Sequence, residues 1–306
     1  MIRLDDLQMF IRTAELGGLS AAARALDCSP AVASAALKRL EQQLGTRLFA
    51  RSTRSLRLTP AGELFLPNAQ QALAQLAEGR RLLKGDEEAV AGTLQLAAPS
   101  DFGRNLLLPW LDQLQQQHPA LHVKLLLSDL VSDLFRQPVD LALRYGNPTD
   151  SSLIALPLAS DNRRVLCAAP SYLQRHGTPQ HPEELSAHNC LMFQLAGHAN
   201  SQWRFNQGQQ QCTVEVNGDR QSNDADVVRR WAVAGNGLAY NSWLDLAPDV
   251  LSGRLHVLLP DWLGEPAPLN LLCTHRNQLN KTSETLRQHL TQKCAELLRH
   301  APWRTP

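Results

Sequence analysis

The first side chains suited to a chemical task are basic and hydroxyl groups in residues 46–60, TRLFARSTRSLRLTP. Arginines recur at every third position, as Arg51, Arg54 and Arg57. Between them lie Ser52, Thr53 and Ser55. Because guanidinium and hydroxyl groups donate hydrogen bonds to phosphate oxygens, this pattern predicts contacts along a nucleic-acid backbone. The leucines on either side of Arg57 alternate with it as in a short strand, so we expect a β-wing. A solvated charged hairpin is the alternative.

The preceding segment, residues 20–45, predicts two short helices joined by a tight turn. In each helix the apolar side chains recur at the spacing that places them on one buried face. They are Ala22, Ala23 and Leu26 in the first helix and Ala33, Leu37, Leu40 and Leu44 in the second. Ser29 and Pro30 are typical of a helix start, and Gly45 of a helix end. The small side chains favour a helix-turn-helix unit, with a pair of Ala-rich helices in an all-α core as the alternative.

In a helix-turn-helix unit, the N-terminal part of the second helix enters the major groove of DNA. The residues that we expect there are Ser29, Pro30, Ala31, Val32, Ser34, Ala35, Lys38 and Arg39. The wing adds Arg51, Thr53, Arg54 and Arg57. Few of the groove-facing side chains can form bidentate bonds to bases, so specificity rests on Ser34, Lys38, methyl contacts or DNA shape.

Length and charge indicate that this module is one domain of a larger protein. The chain has 306 residues, 43% of them hydrophobic, which suggests two or three domains. Residues 1–60 hold nine Lys/Arg against five Asp/Glu, whereas the whole chain carries a net charge of +1. A basic end on a near-neutral body is typical of a nucleic-acid-binding module carried by another unit. Without an apolar leader, a span of ~18 apolar residues or a CxxC pair, we expect a cytoplasmic protein with reduced cysteines.

Residues 60–88 predict a long helix that begins at a capping Thr59 and Pro60. A helix of roughly 25 residues without a partner nearby in the sequence is expected to pair with another chain by coiled-coil-like packing. We therefore expect a homodimer through this helix, and the sequence leaves open whether such dimers pair into a homotetramer.

From Ala91 the pattern changes to strands alternating with helices. The predicted strands are 93–98, 121–127 and 139–144, with a helix at 105–118. This order predicts a parallel sheet with ligands at the carboxyl ends of its strands, near Ser100, Ser128 and Arg144. A second α/β unit follows from residue 161, and a strand at 268–275 with a helix at 283–299 is expected to return to the first sheet.

Residues 1–88 resemble the LysR-type family of bacterial transcriptional regulators. The resemblance rests on LDDLQMFIRTAELGGLSAAARAL, on SPAVASAALKRLEQQLGTRLFARSTRSLRLTPAG and on the long helix after them. The remainder resembles the periplasmic-binding-protein-like effector domain of the same family, so the resemblance covers nearly the whole chain. Where many members have a Gln and then a basic residue facing the groove, this sequence has Pro30 and Ala35.

The resemblance implies a multidomain α plus α/β fold. Its parts are a winged helix-turn-helix DNA-binding domain at 1–59, a linker and dimerisation helix at 60–88 and an effector-binding domain at 91–302. The last would have two subdomains of periplasmic-binding-protein type II-like architecture, one at 91–160 plus 266–302 and the other at 161–265. The implied function is promoter binding modulated by a small-molecule inducer.

The family binds its inducer between the two subdomains. The residues implied for the pocket are Ser100, Asp101, Phe102, Ser128, Arg144, Phe193, Trp203, Asn223 and Asp224. The last pair stands at a predicted helix start, where free amides attract an anion, but capping of that helix is the alternative role. Asp101 and Asp224 would repel a carboxylate, whereas Arg104 and Arg144 would attract one, so the ligand's charge stays open.

Catalysis finds little support in the sequence. HExxH, GxSxG, GxGxxG and a Walker loop are absent, so we expect no enzyme, no cofactor and no metal. The alternative is a small-molecule-binding protein or enzyme of two-subdomain α/β architecture with a structural N-terminal appendage. The peroxide-sensing branch of the family uses a reactive cysteine pair. Cys190 and Cys212 are candidates for such a pair, but we interpret them as core residues.

Overall fold

The structure, a computed structural model, describes residues 2–51, 56–83, 90–130, 139–148, 153–195, 198–275 and 278–304. The chain divides into two compact units, unit 1 at residues 1–88 and unit 2 at residues 89–306. Within the described ranges, no helix combines the length and the apolar character that a membrane span requires.

Unit 1 has the order of elements that the sequence predicts. They are α1 (Leu4–Leu16), α2 (Leu19–Ala25), α3 (Pro30–Leu44), β1 (Phe49–Arg51), β2 (Leu56–Leu58) and α4 (Pro60–Leu83). The strands β1 and β2 pair antiparallel as the wing. The predicted winged helix-turn-helix is therefore confirmed, while the predicted extension of α4 to residue 88 lies outside the described residues.

Local chemistry fixes the ends of α3. The Val32 amide donates to the Ser29 hydroxyl oxygen at 3.3 Å, which caps the start. Gly45 ends the helix with a φ of +66°, a left-handed conformation that glycine adopts without a steric penalty. The apolar face of α3 packs into a core that includes Phe10, Leu37 and Leu48.

The start of α4 depends on a close approach to the wing. The Thr59 hydroxyl accepts a hydrogen bond from the Gly62 amide at 3.1 Å and donates one to the Arg47 carbonyl at 2.7 Å. A Cβ atom on Gly62 would lie 2.2 Å from the Leu48 carbonyl oxygen. Only a residue without a side chain fits there, so glycine lets the first turn of α4 lie against the chain that leads into the wing.

Unit 2 is an α/β unit with two lobes. Its first part contains β3 (Gly92–Ala98), α5 (Ser100–Phe102), a π-helical turn (Gly103–Leu107), α6 (Leu108–Gln117), β4 (Leu121–Leu127), β5 (Leu141–Tyr145) and β6 (Ile154–Ala159). Its middle part contains β7 (Arg164–Ala168), α7 (Pro170–His176), a 3-10 helix (Pro182–Ala187), β8 (Cys190–Leu195), β9 (His198–Ala199), β10 (Gln202–Gln207), β11 (Gln210–Glu215) and β12 (Gln221–Ser222). The last part contains α8 (Ala225–Val233), β13 (Leu238–Ser242), α9 (Trp243–Leu251), β14 (His256–Leu258), β15 (Leu263–Gly264), β16 (Leu269–Cys273), α10 (Lys281–Leu298) and a short 3-10 helix (Pro302–Arg304).

Each lobe is built on its own sheet. The first lobe has the strand order β4-β3-β5-β16-β6, and the second has β12-β8-β13-β7-β14. In the first sheet β3 is parallel to β4 and β5, but β16 is antiparallel to β5 and β6. The three strands predicted to be parallel are therefore parallel, and the strand predicted to return to this sheet, β16, runs antiparallel to its neighbours. The reason is that the chain re-enters this sheet from the second lobe, at the edge where β5 and β6 end, so β16 must run the opposite way.

The chain passes between the lobes at residues 160–163 and 265–268. These two passages are held together by Asn162, which is fully buried. Its side-chain amide donates to the Ser242 hydroxyl at 2.8 Å and to the Ala267 carbonyl at 2.6 Å. The returning helix α10 packs on β6 and α6 of the first lobe, as the sequence predicts.

Candidate nucleic-acid interface and ligand cleft

The N-terminal half of α3 presents a continuous exposed surface in unit 1. Its exposed residues are Ser29, Pro30, Ala31, Val32, Ala35 and Lys38, with Ser34 half-exposed. The surface is nearly free of charge apart from Lys38, and it includes the apolar side chain of Val32. The structure thus brings these predicted residues together, and their contact with DNA stays a prediction.

Arg39, also predicted to contact DNA, binds a carboxylate within unit 1 while 41% of its side chain stays exposed, so its contact with DNA stays a prediction. Its guanidinium donates to the two carboxylate oxygens of Asp6 at 2.6 Å and 3.2 Å. Asp6 is fully buried on α1, and its bond raises the pKa of Arg39. A buried carboxylate requires a cation or hydrogen-bond donors, and Arg39 supplies both. Arg39 therefore positions α3 against α1.

Glu41 connects α3 to the start of the wing. One oxygen of its carboxylate accepts the Leu48 and Phe49 amides at 2.8 Å and 3.2 Å. On β2, Arg57 is exposed and pairs with Ala50 of β1. Thr53 and Arg54 lie outside the described residues, as does the side chain of Arg51.

A groove between α3 and the start of the wing contains the predicted Ser34 and Lys38 and adds Gln42, Thr46 and Arg47, which were not predicted. Ser34, Lys38 and Gln42 line it at every fourth position of α3, and Thr46 and Arg47 line it from the following loop. The helical spacing of the first set was a usable signal, since it extends the predicted face by one turn. Arg47 was missed because it falls between the helix and the regular repeat of wing arginines.

Unit 2 contains a cavity of about 160 Å³ between its lobes. Its lining includes Pro99, Ser128, Asp129, Arg144, Tyr145, Arg164, Phe193, Ala225, Asn241, Ser242, Asp245 and Ala267. Several of these follow or end strands of both sheets, where the sequence placed the ligand. Ser128, Arg144 and Phe193 are the predicted residues that line the cavity, and their role in binding stays a prediction.

Phe102 and Trp203 were predicted to line the ligand pocket, but both lie in the protein core and do not line this cavity. Phe102 is fully buried with its ring edge-on to Trp110 at 5.6 Å. Its helix begins at Ser100, five residues before the predicted start, and the helical turn directs Phe102 into the core. Trp203 packs against Tyr240 in the core of the second lobe, with ring centroids 5.2 Å apart.

The predicted carboxylates Asp101 and Asp224 also lie outside the cavity lining, because each is paired with an arginine. Asp101 is buried and accepts from Arg229 at 2.8 Å. Asp224 accepts from Arg104 at 2.8 Å and also caps α8 through the Asp226 amide. Asn223 is exposed beside it and does not line the cavity. Ser100 lies just behind the cavity wall, where its amide donates to Asp129 at 2.8 Å.

These pairs belong to an ionic seam between the lobes, formed by residues 100–105 of the first lobe and by residues 224–229 and Asp249 of the second. At its centre Arg229 contacts the carboxylates of Asp101, Asp226 and Asp249 at 2.7–2.8 Å. Burial raises the pKa of Asp101 to about 7, although Arg229 opposes that shift. The seam holds the lobes together beside the cavity.

Of the two cysteines interpreted as core residues, Cys190 is buried, whereas Cys212 is only half-buried. The six cysteines are free. Burial raises the pKa of Cys190 to about 12, which makes it a poor nucleophile. The Sγ atom of Cys212 lies 3.6 Å from a carboxylate oxygen of Glu183. In the part of the chain that the structure describes, no group of three His, Cys, Asp or Glu side chains is placed to hold a metal ion.

Comparisons with known families cover both units. The family of bacterial regulatory helix-turn-helix proteins, lysR family, matches residues 4–63. The LysR substrate binding domain family matches residues 87–295.

Two curated relatives are similar over most of their length. The chain is 32% identical to the HTH-type transcriptional regulator DmlR of Escherichia coli (strain K12), over 94% of this chain and 95% of that protein. It is 33% identical to the HTH-type transcriptional activator TtdR of the same strain, over 84% of this chain and 83% of that protein.

Solved structures give the same result. CrgA, a LysR-type transcriptional regulator from Neisseria meningitidis, is 29% identical with a TM-score of 0.59, covering 96% of this chain and 98% of that one. The full-length Vibrio cholerae virulence activator AphB is 26% identical with a TM-score of 0.55, covering 96% of this chain and 99% of that one.

Proposed function

We propose, from the premise that this chain belongs to the LysR family of transcriptional regulators, that a small anion in the interlobe cavity controls how unit 1 binds DNA. The chain is a DNA-binding transcriptional regulator with an effector-binding domain. The proposal adds the charge class of the effector, the cavity that holds it and the surface that contacts DNA. It includes no catalytic step and no cofactor. Binding to chromosomal DNA would place the protein in the cytoplasm.

The balance of charge in the cavity is the observation that carries the anion proposal. Arg144, 7% exposed, and Arg164 line the cavity on the cationic side. Of the facing carboxylates, Asp245 has a pKa raised well above its usual range by burial and by neighbouring Asp101, which favours its uncharged form. Asp129 is engaged by backbone amides. Two guanidinium groups thus line the cavity together with the Asp129 and Asp245 carboxylates, and we infer that this set of groups favours a negative ligand.

The size and polarity of the cavity narrow the ligand further. A volume of about 160 Å³ lies below the range of roughly 300–1,000 Å³ that holds drug-sized molecules. Around the arginines lie hydrogen-bonding groups from Ser128, Tyr145 and Asn241, with the ring of Phe193 alongside. These features favour a compact organic acid with additional polar groups.

For DNA, we propose that the exposed face of α3 enters the major groove and that Arg57 lies along phosphate. Support comes from the rigid ties that fix both surfaces, Asp6 to Arg39 and Glu41 to the wing amides. Sequence-specific contacts are assigned to Ser34, Lys38 and Gln42, which share one face of the helix.

A homodimer through α4 completes the proposal. Leu64 is 75% exposed and Leu76 is 48% exposed, and Ala72 is exposed between them at helical spacing. Such a stripe on a helix of 24 residues favours packing against the same helix of a second chain. A homotetramer would pair two such dimers.

The effector proposal is tested with a panel of ligands and the fluorescence of unit 2. The six tryptophans of the sequence all lie in residues 110–303, so their fluorescence reports on unit 2 alone. Small carboxylates, neutral polyols and amines are added to the full chain, and to Arg144→Gln and the exposed Arg204→Gln as control. We expect a carboxylate to change the fluorescence of the parent and of Arg204→Gln, and to lose that effect in Arg144→Gln.

Two results would overturn the proposed effector class. One is saturable binding of neutral compounds or amines in place of acids. The other is carboxylate binding that is equal in the parent and in Arg144→Gln.

A further inference from the structure

The carboxylate of Asp129 lies between two helix N-termini that belong to different lobes. One of its oxygens accepts from the Ser100 amide at 2.8 Å, and the other accepts from the Ala225 amide at 3.2 Å. Ser100 is the first residue of the continuous helical segment 100–117 in the first lobe, and Ala225 is the first residue of α8 in the second. The Ser100 hydroxyl donates to the same carboxylate and accepts from the Ala225 amide at 3.1 Å.

This is the environment that proteins offer to bound anions. The first amides of a helix have no partner within the helix, and the helix dipole adds positive potential at that end. Here two such ends converge on one carboxylate. Asp129 therefore occupies the position of an anionic ligand, with the difference that it is attached to the first lobe at the end of β4.

Asp129 differs from the other acids of the seam in its access to the cavity. Asp101, Asp226 and Asp249 are buried against Arg229. Asp129 and Ala225 both line the interlobe cavity itself. A ligand in that cavity meets the bond between the lobes directly, so breaking or replacing it requires no disruption of the buried pairs.

We propose that Asp129 is a built-in carboxylate ligand that joins the two lobes from inside the cavity, and that its place between the Ser100 and Ala225 amides accepts a free carboxylate when the side chain is removed. This proposal rests on the proposed effector cavity, because a carboxylate of an effector bound there would compete with Asp129 for the same two amides. Displacing Asp129 would exchange a tethered anion for a free one and release the first lobe from α8.

The test is chemical rescue in the full chain. Thermal unfolding of Asp129→Ala is followed by tryptophan fluorescence, with added sodium formate or acetate and with sodium chloride at the same ionic strength. We expect the midpoint to fall on the order of 4–8 °C, as for the loss of charged hydrogen bonds in a unit of this size. Formate or acetate should restore much of that loss in a saturable way, and chloride should not.

Asp140→Ala is the matched control. Asp140 is a partly buried acid of the same lobe, and it also accepts from a backbone amide, that of Gln95, at 2.7 Å. That amide belongs to a strand, so the removed carboxylate leaves no convergent helix ends behind. We expect Asp140→Ala to be destabilised without rescue. Equal effects of acetate and chloride on Asp129→Ala, or equal rescue of both variants, would overturn the proposal.

Asp129→Asn covers the case in which the alanine variant fails to fold. Its amide fills the same space without the charge, so we expect a lower midpoint than in the parent and no rescue by acetate. A midpoint equal to that of the parent would overturn the proposal, since a neutral group would then serve as well. These measurements use neither DNA nor effector. Their failure leaves the proposed cavity standing, whereas failure of the Arg144 test leaves the link between the lobes standing.

Discussion

At the scale of single residues, the stability of unit 2 depends on how its buried acids share one arginine. The guanidinium of Arg229 contacts the carboxylates of Asp101, Asp226 and Asp249, and each of these acids is almost completely buried. Separating Arg229 from these acids would leave its own buried charge without a partner, which is costly. Burial at Asp101 is strong enough to raise its pKa to about 7. Asp101 thus keeps its proton in the folded state at a pH where it has lost it in the unfolded chain.

This shift predicts a pH-dependent effect of Asp101→Asn. The folded pKa of about 7 exceeds the unfolded value of roughly 3.9, so the contribution of Asp101 to stability is full below pH ~4 and is lost as the pH rises through 7. Asparagine cannot titrate. The free energy of unfolding of the variant, minus that of the parent, should therefore increase between about pH 4.5 and 6.5, by up to ~1.4 kcal/mol per pH unit. Urea denaturation followed by tryptophan fluorescence measures it, and a difference that is constant with pH would contradict the assignment.

Arg57 gives the corresponding prediction in unit 1. Because it is exposed on the wing and bonds no base in the proposed geometry, Arg57→Ala should weaken binding to specific and non-specific DNA by similar factors. The slope of log affinity against log salt should fall in magnitude by about 1. Arg57→Lys keeps the charge and should keep the slope. Titrations of labelled DNA at several salt concentrations decide this, and identical slopes for alanine and parent would remove Arg57 from the phosphate contacts.

Single-residue roles were the part of the site that the sequence predicted least well. Ser128, Arg144 and Phe193 do line the cavity, whereas Phe102 and Trp203 lie in the core. The sequence near a strand end looks the same whether an aromatic residue lines a cavity or packs in the core, because the side chain's direction depends on the orientation of its helix or strand. Arg39 illustrates the same limit, since its partner Asp6 lies 33 residues earlier in the sequence.

At the scale of elements, the start of α4 shows how one glycine fixes two structures against each other. A Cβ on Gly62 would approach the Leu48 carbonyl oxygen to 2.2 Å and the Leu58 side chain to 2.9 Å. Both residues belong to the segment that leads into and out of the wing. The distance between the helix and the wing is therefore set by the absence of a side chain.

Two glycines in α4 provide a matched pair of substitutions. Gly62→Ala should lower the free energy of unfolding of unit 1 by about 1–3 kcal/mol, because the backbone must move to admit the methyl group. Gly79→Ala, where a Cβ would meet nothing within 4 Å, should leave it unchanged or raise it by up to ~1 kcal/mol. Since unit 1 has no tryptophan, fluorescence follows unit 2 alone, and a change in unfolding that appears in far-UV circular dichroism but not in fluorescence belongs to unit 1. Equal effects of the two substitutions would disprove the close approach.

Elements whose ends are fixed locally were predicted well from the sequence. The Ser29 cap and the Gly45 end of α3 are examples, and so is the Thr59 cap of α4. The helix predicted at 105–118 begins earlier, at Ser100, and this start was missed because its N-terminal partner is Asp129, 29 residues away. Gly103 added to the error by suggesting a loop. In the structure it lies in the π-helical turn, where a Cβ would contact Leu127 at 2.2 Å.

At the scale of the whole molecule, the order of the elements could be predicted from the sequence, but the direction of the returning strand β16 could not. A basic helix-turn-helix, a wing, a long helix and alternating strands and helices each have a local pattern. The antiparallel β16 has none, because its direction follows from where the chain re-enters the first sheet. The same long-range geometry creates the cavity, whose lining comes from residues between 99 and 267.

The proposed dimer is a prediction at this scale. Leu64→Glu combined with Leu76→Glu places charges on the exposed stripe of α4, which should convert the parent dimer to monomers in sedimentation velocity. Leu251→Glu, at a leucine of unit 2 that is 52% exposed, is the control and should remain dimeric. A parent that is already monomeric, or a double variant that stays dimeric, would reject α4 as the interface.

The central claim is that unit 1 binds particular DNA sequences under the control of unit 2. A gel shift followed by footprinting, on DNA from upstream of the protein's own gene, tests it most directly. We expect a shifted band that survives excess competitor DNA, and protected segments spaced by whole helical turns of about 10 base pairs, as a symmetric dimer requires. We also expect this pattern to change when a carboxylate that binds unit 2 is added. The absence of any shift at low salt, or binding that competitor removes completely, would contradict the account.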